Sequence, residues 1–196
     1  KEFSHIPGVD FSGTVVESDH ETFKSGDNII ATGWRIGELY YGGYSQYAKV
    51  DGKFLVKRPK NLSSRQSMML GTAGLTALQC AFAVKAREEL LMGKKVEDVI
   101  VTGASGGVGS MSVMVLNKLN CNVTAVTGKK ENYDYLKTLG AKNLINSSDL
   151  DKEARPLDKG LYDGAVDTVG GNILANVLSH IKDKGIVASC GNASTI

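Results

Sequence analysis

A glycine-rich turn at residues 103–109 constrains the fold of this chain more than any other stretch of the sequence. The apolar run Val99–Val101 leads directly into the turn and predicts a buried strand, and the amphipathic segment 111–119 predicts a helix after it. Strand, glycine turn and helix are the order that a dinucleotide site needs, because glycines allow the tight turn and a close backbone approach to a pyrophosphate. The helix N-terminus then faces the phosphates. The turn residues predicted to contact such a cofactor are Ser105, Gly106, Gly107 and Val108.

Beyond the turn, the sequence alternates between strand and helix patterns. The further predicted strands are Val123–Val126, Asn143–Asn146, Gly164–Val169 and Gly185–Ser189. The predicted helices between them are Glu131–Leu139 and Asn172–Ile181. Five strands that alternate with helices predict an α/β fold built on a doubly wound parallel sheet. A nucleotide-binding sheet of this kind ordinarily has about six strands.

The first 63 residues have a different pattern, with short strands at close spacing. Phe11–Ser18, Asn28–Ala31 and Tyr44–Val50 are predicted as strands, the last because its residues alternate. Such spacing favours a barrel or an irregular β domain over βαβ units. A helical period begins at Ser64, so we expect one domain over residues 1–63 and a second over 64–196.

Composition excludes several classes of partner. The formal charge of +2 is small and the basic residues are scattered, so neither nucleic acid nor an anionic membrane is an expected partner. The uncharged run 67–84 just reaches the length of a membrane span, but its glycines, threonines and glutamine favour a buried helix of a soluble fold. Three dispersed cysteines form no disulfide framework and suit a reducing cytoplasm.

Two enzyme families carry a glycine turn of this form. The turn fits the TGxxxGxG pattern of short-chain dehydrogenases, and Tyr133 and Lys137 supply a YxxxK pair. In those enzymes, however, the turn opens the chain and the YxxxK pair comes several elements later. Here the turn follows about 100 residues of other sequence and the pair comes one strand after it, so we reject this interpretation.

The whole chain resembles the medium-chain dehydrogenase/reductase superfamily, and within it the quinone oxidoreductase-like group that includes acryloyl-CoA reductases. The matching stretches, in the order of the family, are IPGVDFSGTVVES, GWRIGELYYGGYSQYAKV, MLGTAGLTALQC, VTGASGGVGS, AVTGKK, YLKTLGA, RPLD and AVDTVGG. The resemblance implies part of a GroES-like catalytic domain followed by a Rossmann domain, in a chain that lacks both ends. One departure is Ala104, where the family pattern has its first glycine, and we expect Gly103 to provide the turn instead.

The resemblance argues against a catalytic zinc ion. Zinc-dependent members of the superfamily carry a His-Glu pair where this chain has Val9-Asp10, and the clustered four-cysteine lobe is absent from the sequence. The histidines and cysteines show no ligand spacing. We therefore expect no metal site and interpret Asp10 as a hydrogen-bonded carboxylate at a strand end.

The end of the second sheet strand predicts the cofactor. An NAD site places an acidic residue about 20 residues beyond the glycines to accept from the ribose 2′-hydroxyl. Here that position reads Thr127-Gly128-Lys129, without an acid. A hydroxyl, a backbone N–H and an ammonium group suit a 2′-phosphate, so the sequence predicts NADPH. The alternative is that the lysines only solvate a surface turn.

Other cofactor contacts follow from strand ends and from the resemblance. Ligands of open α/β sheets bind outside the carboxyl ends of the strands. This predicts backbone contacts from Thr168, Val169, Gly170, Cys190 and Gly191. Cys190 has no activating neighbour in the sequence and is interpreted as a packing residue rather than a nucleophile. Thr72 resembles the family's contact to the nicotinamide end, with a cap on the following helix as the alternative.

The implied function is hydride transfer from NADPH to an activated C=C bond, as in an acryloyl-CoA-like thioester, or to a quinone. The aromatic residues between Trp34 and Tyr47 are candidates for the substrate cleft or for ordinary packing, and Arg155 for a phosphate contact or a surface salt bridge. No catalytic residue is assigned. The resemblance implies a homodimer, and the competing function is a non-catalytic NADPH-binding or sensing protein.

Overall fold

A computed structural model describes residues 5–90, 92–155 and 158–195 of the chain. The backbone divides into two compact units, Lys1–Leu75 and Thr76–Ile196. The domain boundary expected after residue 63 stays a prediction. Pro156 and Leu157, within the RPLD stretch, lie outside the described residues.

The first unit contains a small antiparallel sheet. Its strands are β1 (Asp10–Thr14), β2 (Asn28–Thr32) and β3 (Leu55–Lys57), with β2 in the centre. The β-branched residues of β2 suit a pleated, half-buried surface. Ala31 from this strand packs with Ile36 and Phe54 in a small buried cluster. Two of the three strands predicted in this unit are therefore present.

The predicted strand Tyr44–Val50 is wrong, because local contacts bend the chain there. A Cβ at Gly42 would collide with the Pro7 carbonyl, so the segment enters through a close backbone approach, and the Ser45 hydroxyl then donates to the Tyr47 carbonyl at 2.7 Å. Tyr44 and Tyr47 are both 78% exposed, so the alternation of the segment buries no face. The strand that pairs with β2 instead is the short β3, which the sequence pattern missed.

A long helix, α1 (Ser64–Lys85), follows and is kinked at Gly71, which has φ +46° and ψ −152°. By length and composition alone, the described stretch Ser64–Leu90 could cross a membrane. In the second unit, however, Ala77, Ala81 and Val84 are fully buried, and Ala81 and Val84 belong to the main core cluster. This face agrees with the predicted buried helix.

The second unit is a five-stranded parallel sheet with helices on both faces. Its strands are β4 (Asp98–Val101), β5 (Asn122–Thr127), β6 (Ala141–Asn146), β7 (Tyr162–Asp167) and β8 (Ile181–Ser189). Its further helices are α2 (Arg87–Leu90), α3 (Gly107–Lys118), α4 (Tyr133–Thr138) and α5 (Gly171–Ser179). The strand order is β6-β5-β4-β7-β8, which confirms the predicted doubly wound sheet.

Successive residues of β4 show how the two faces are covered. Val99 and Val101 lie in the cluster that contains Leu116 of α3, whereas Ile100 lies in the cluster that contains Val177 of α5. Alternate side chains of a strand point to opposite faces, so a continuous apolar run is what a sheet covered on both faces requires. The strand order reverses at β4, with β5 on one side and β7 on the other. Such a switch point opens a crevice at the carboxyl ends of the strands.

Candidate functional site

The glycine turn joins β4 to α3 by a close backbone approach. Gly103 has φ +56°, a conformation that favours glycine, and the buried Ala104 donates its N–H to the Val126 carbonyl at 2.9 Å. Gly103 therefore provides the turn in place of Ala104, as expected. At Gly109 a Cβ would collide with the Gly103 carbonyl and lie 2.7 Å from the Ala104 Cα, so only glycine lets α3 start this close to the strand.

The N-terminus of α3 opens onto a groove with a volume of about 400 Å³. Gly106 precedes the helix and supplies no side-chain cap to its first N–H groups. A helix N-terminus with unoccupied N–H groups and a positive dipole end is a site for anions. Seven of the predicted cofactor residues line this groove, namely Ser105, Gly106, Thr127, Gly128, Lys129, Thr168 and Val169.

The other predicted residues of the second unit lie beside the groove rather than on its wall. Gly107 and Val108 form the first turn of α3. Gly170 precedes α5, and its N–H donates to the Asp167 carboxylate at 3.1 Å. The Cys190 N–H donates to the Asp167 carbonyl, and a Cβ at Gly191 would collide with the Thr168 carbonyl. These segments pack directly behind Thr168.

Thr127 holds the turn at the end of β5 through its hydroxyl. The side chain is buried, its Oγ1 lies 2.9 Å from Ser105 Oγ, and it accepts from the Lys129 N–H at 3.2 Å. This hydroxyl therefore fixes the backbone of residues 128 and 129. The Lys129 ammonium forms no ion pair with any residue that the structure describes, and it is exposed at the groove.

Sequence reasoning missed Ser147, which follows β6. Its hydroxyl lies 2.8 Å from where a Cβ on Gly128 would stand, and it has no hydrogen-bond partner among the described residues. It lines the same groove as Lys129. The available signal was the position of Ser147 directly after a strand that neighbours β5 in the predicted sheet. Ile173 and Ala193 complete the apolar part of the groove and were also missed.

Cys190 is exposed as a residue, but its sulfur is partly buried beside the Cys80 thiol, so its interpretation as a packing residue stays a prediction. Cys190 follows the end of β8, and its thiol donates to the carbonyl of the buried Asp167 at 3.5 Å. Partial burial of the sulfur, with the Cys80 thiol beside it, raises the pKa of Cys190 to about 12. A thiol that stays protonated at neutral pH is a poor nucleophile, which agrees with the expectation that nothing activates it.

Thr72 belongs to the first unit, where it binds Asp10. Its N–H donates to both carboxylate oxygens of Asp10 at 3.0 and 3.1 Å, and its hydroxyl donates to Oδ1 at 2.8 Å. Asp10 is therefore the hydrogen-bonded strand-end carboxylate that we expected, and it caps the helix after the kink. The contact of Thr72 with a cofactor stays a prediction.

The residues at Val9-Asp10 do not fit a zinc ion. Both oxygens of Asp10 are engaged by Thr72, and within residues 5–90, 92–155 and 158–195 no three His, Cys, Asp or Glu side chains gather closely enough to hold a metal.

The aromatic side chains of the first unit form separate contacts. The ring of Trp34 stacks on Phe54 at 5.1 Å, Tyr40 lies 5.4 Å from the same ring, and Tyr41 lies 5.4 Å from His5. Tyr47 lines a different cavity of about 260 Å³ beside β1 and β2. Their role at a substrate cleft stays a prediction, as does a phosphate contact of the exposed Arg155.

Both parts of the chain match known domain families. Residues 1–60 match the alcohol dehydrogenase GroES-like domain, and residues 107–195 match the domain described as zinc-binding dehydrogenase. Acrylyl-CoA reductase AcuI of Ruegeria pomeroyi is 44% identical over 98% of this chain and 58% of that protein. The chain thus spans about 58% of the length of the curated relatives that it matches.

Solved structures of similar proteins share the fold of this chain over nearly its whole length. Escherichia coli K-12 YhdH with bound NADPH superposes with a TM-score of 0.93 at 41% identity, over 100% of this chain and 59% of that one. Bacillus subtilis yhfP with NAD bound has a TM-score of 0.86 at 44% identity, over 97% and 57%. One similar protein was therefore crystallised with the phosphorylated cofactor and one with the unphosphorylated form.

Proposed function

Because the chain belongs to the medium-chain dehydrogenase/reductase superfamily, we propose that it forms the NADPH site of a reductase acting on an activated C=C bond or a quinone. The observation that carries this proposal is the open glycine turn at the N-terminus of α3, combined with the absence of an acidic residue at the end of β5. The acrylyl-CoA reductase from Ruegeria supports an enoyl thioester as the substrate class.

The diphosphate of the cofactor binds the first N–H groups of α3 in this proposal. The N–H groups of Ser105, Gly107 and Val108 supply the donors, since Gly106 provides no side-chain cap. The Gly106 N–H itself donates to the Gly103 carbonyl at 2.9 Å, so Gly106 contributes a close backbone approach instead. A Cβ at Gly106 would meet only the Gly103 carbonyl oxygen, at 3.2 Å, so the space above it is free for a close approach. The glycine cradle thus fits the group.

The ribose 2′-phosphate lies against Gly128, Lys129 and Ser147 in this proposal. The lysine ammonium and the serine hydroxyl are donors at the groove, and Thr127 and Ser105 hold the backbone between them. Charge-assisted hydrogen bonds to a phosphate are about twice as strong as neutral ones. Because the Bacillus relative was crystallised with NAD, the preference for NADPH over NADH is the first part of the proposal to test.

When bound, NADPH supplies the hydride, and the protein supplies binding, orientation and exclusion of competing reactions. We propose that Thr168, Val169, Gly170, Cys190 and Gly191 follow the cofactor from the adjacent strand ends, with Thr72 at its nicotinamide end. A homodimer and a cytoplasmic location are part of the same proposal. The homodimer rests on the resemblance, and the location rests on the three dispersed cysteines.

Turnover of the complete gene product tests the activity. We expect NADPH absorbance to fall with acryloyl-CoA or with a quinone, in a panel that also contains simple enones. NADPH binding without turnover on the whole panel would favour the competing function, a non-catalytic sensor. Absence of NADPH binding would reject the site itself.

Lys129→Glu tests the choice of cofactor. Replacing the ammonium by a carboxylate removes a charge-assisted bond and repels the 2′-phosphate, so we expect NADPH affinity to fall by about 100-fold and NADH affinity by about two-fold. Fluorescence titration with both cofactors measures the two losses. Lys118→Glu makes the same charge change at the exposed far end of α3 and should alter neither. Equal losses of the two cofactors in the Lys129 variant would contradict the proposal.

A further inference from the structure

Two buried aspartates lie at opposite ends of β7, and the proposed function uses neither. Asp163, near the start of the strand, is 5% exposed, and Asp167, its last residue, is 0% exposed. A buried carboxylate is costly unless several donors satisfy it, so each must be held by specific partners. The hydrogen-bond partners of Asp163 and those of Asp167 come from different parts of the sheet.

Asp167 accepts hydrogen bonds from three separate segments. Its Oδ1 accepts from the Thr102 hydroxyl at 2.6 Å and from the Val169 N–H at 3.4 Å. Its Oδ2 accepts from the Gly170 N–H at 3.1 Å and from the Ser189 hydroxyl at 3.3 Å. One carboxylate therefore ties together the carboxyl ends of β4, β7 and β8.

Thr102 carries this connection directly into the glycine turn. Its hydroxyl donates to Asp167 and accepts from the Thr168 N–H at 3.0 Å, while the Thr168 hydroxyl donates to the Thr102 carbonyl at 3.0 Å. The next residue is Gly103, where a Cβ would collide with the Thr168 hydroxyl. The start of the glycine turn and the end of β7 are thus one hydrogen-bonded unit on the groove wall.

We propose that Asp167 is a positioning residue for the cofactor. It fixes the backbone of the glycine turn through Thr102 and the backbone at the end of β7 through Val169 and Gly170. The proposal rests on the proposed function, since it assumes that a dinucleotide occupies the groove. Asp167 is not among the residues that line the groove. It acts on the groove wall through Val169 and through Thr102, which is hydrogen-bonded to Thr168 and precedes Gly103. It should therefore affect NADPH and NADH alike, unlike Lys129.

Asp163 provides a matched control on the same strand. It accepts from the N–H groups of Glu97 and Asp98 and from the Lys182 ammonium at 3.0–3.2 Å, and pairs with Arg87 at 3.4 Å. These contacts tie the opposite end of the sheet, away from the groove. Loss of Asp163 should weaken the fold without altering the site.

The test compares Asp167→Asn with Asp163→Asn in the complete gene product, by titration with NADPH and NADH and by thermal unfolding. The amide introduced by Asp167→Asn would place a donor against the Thr102 hydroxyl or the Gly170 N–H. We expect Asp167→Asn to weaken both cofactors by about 10-fold, the equivalent of one lost hydrogen bond to a charged group. Asp163→Asn should lower the unfolding temperature at least as much and change both affinities by less than about two-fold.

Thr102 keeps the test decisive if Asp167→Asn does not fold. Thr102→Val removes the hydroxyl with little change of shape and should reproduce the loss of affinity, whereas Thr102→Ser keeps the hydroxyl and should restore it. Unchanged affinity in Asp167→Asn or in Thr102→Val, or an equal loss in Asp163→Asn, would overturn the proposal for Asp167 alone. A wild-type protein that binds neither cofactor would overturn the proposed function and this inference together.

Discussion

The turns from β4 to α3 and from β7 to α5 follow the same strand–turn–helix plan on adjacent strands, and a glycine without a side-chain cap precedes each helix. The two turns differ in what pairs with their backbone N–H groups ahead of the helix. At α3 the turn is made of glycines and opens onto the groove. At α5 the turn folds around the chain's own carboxylate, because Asp167 accepts from the N–H groups of Val169 and Gly170. Unpaired N–H groups attract an acceptor in both cases. An internal acceptor fills one turn, and the other is left for a ligand.

The largest effect is expected where the open turn is tightest. Gly109→Ala would drive a methyl group into the Gly103 carbonyl and the Ala104 backbone, and backbone atoms do not yield easily. We expect a loss of about 3 kcal/mol in unfolding free energy, at the upper end of overpacking costs, together with loss of cofactor binding. Urea unfolding and NADPH titration measure the two.

Gly13→Ala is the control for this change, because a Cβ at Gly13 meets nothing within 4 Å. It should leave the stability within about 0.5 kcal/mol of wild type. If Gly109→Ala were equally harmless, the close approach of α3 to β4 would be wrong.

The second largest effect concerns the opposite end of β7. Burial opposes ionisation of Asp163, but the N–H groups of Asp98 and Glu97 and the Lys182 ammonium outweigh it and hold the pKa of Asp163 below its ordinary value of 3.8. A lowered pKa in the folded state contributes stability above the unfolded pKa, and this contribution is lost as the pH falls through the folded value. Asp163→Asn should therefore cost about 2 kcal/mol at pH 7.

The pH dependence distinguishes a charge effect from a shape effect. The difference in unfolding free energy between wild type and Asp163→Asn should be constant from about pH 5 to 8 and should narrow as the pH falls below about 4. Urea titrations at several pH values give this difference. If the difference in unfolding free energy between wild type and Asp163→Asn stayed constant below about pH 4, the ionised carboxylate would not be what stabilises this end of the sheet.

The smallest change in stability should come from Gly106, at the mouth of the open turn. A Cβ there meets only the Gly103 carbonyl oxygen at 3.2 Å, so Gly106→Ala should leave the unfolding free energy within about 0.5 kcal/mol of wild type. The added methyl would nevertheless occupy the space through which a diphosphate approaches, and we expect NADPH affinity to fall by about 10-fold. Unchanged affinity would indicate that the ligand does not use this turn.

The fold of the second unit was predictable because its signals are local and periodic. Each apolar run, such as those of β4 and β7, predicts one strand, and the glycines mark the turn between a strand and the next helix. Because strands and helices alternate along the chain, few sheet topologies are possible. Tyr44–Val50 shows the limit of that reasoning. Its residues alternate as in a strand, but the close packing of Gly42 and the turn at Ser45 decide the backbone, and neither is visible as a period.

Site residues that belong to a local motif were predictable, whereas those that depend on tertiary neighbours were not. Lys129 and the glycines were found because their motif is contiguous, although their contact with a cofactor stays a prediction. Ser147 was missed because it reaches the groove from a neighbouring strand. The role proposed for Asp167 was missed because its side chain is buried behind the groove wall. The phosphate contact of Thr127 also stays a prediction, and the structure adds a second role, because its hydroxyl bonds Ser105 and accepts from the Lys129 N–H. Tertiary neighbours, not sequence spacing, determine these roles.

The engagement of Thr127 has a consequence for how cofactor preference can evolve. An acidic side chain at Thr127 would break the bonds that shape the turn, so this position is a poor first step toward NAD. Gly128 is a better one, because the atom nearest to an added Cβ is the Ser147 hydroxyl, the end of a side chain that can rotate away. Lineages that exchange the two cofactors should therefore differ at Gly128 and Ser147 together while they retain the hydroxyl at Thr127.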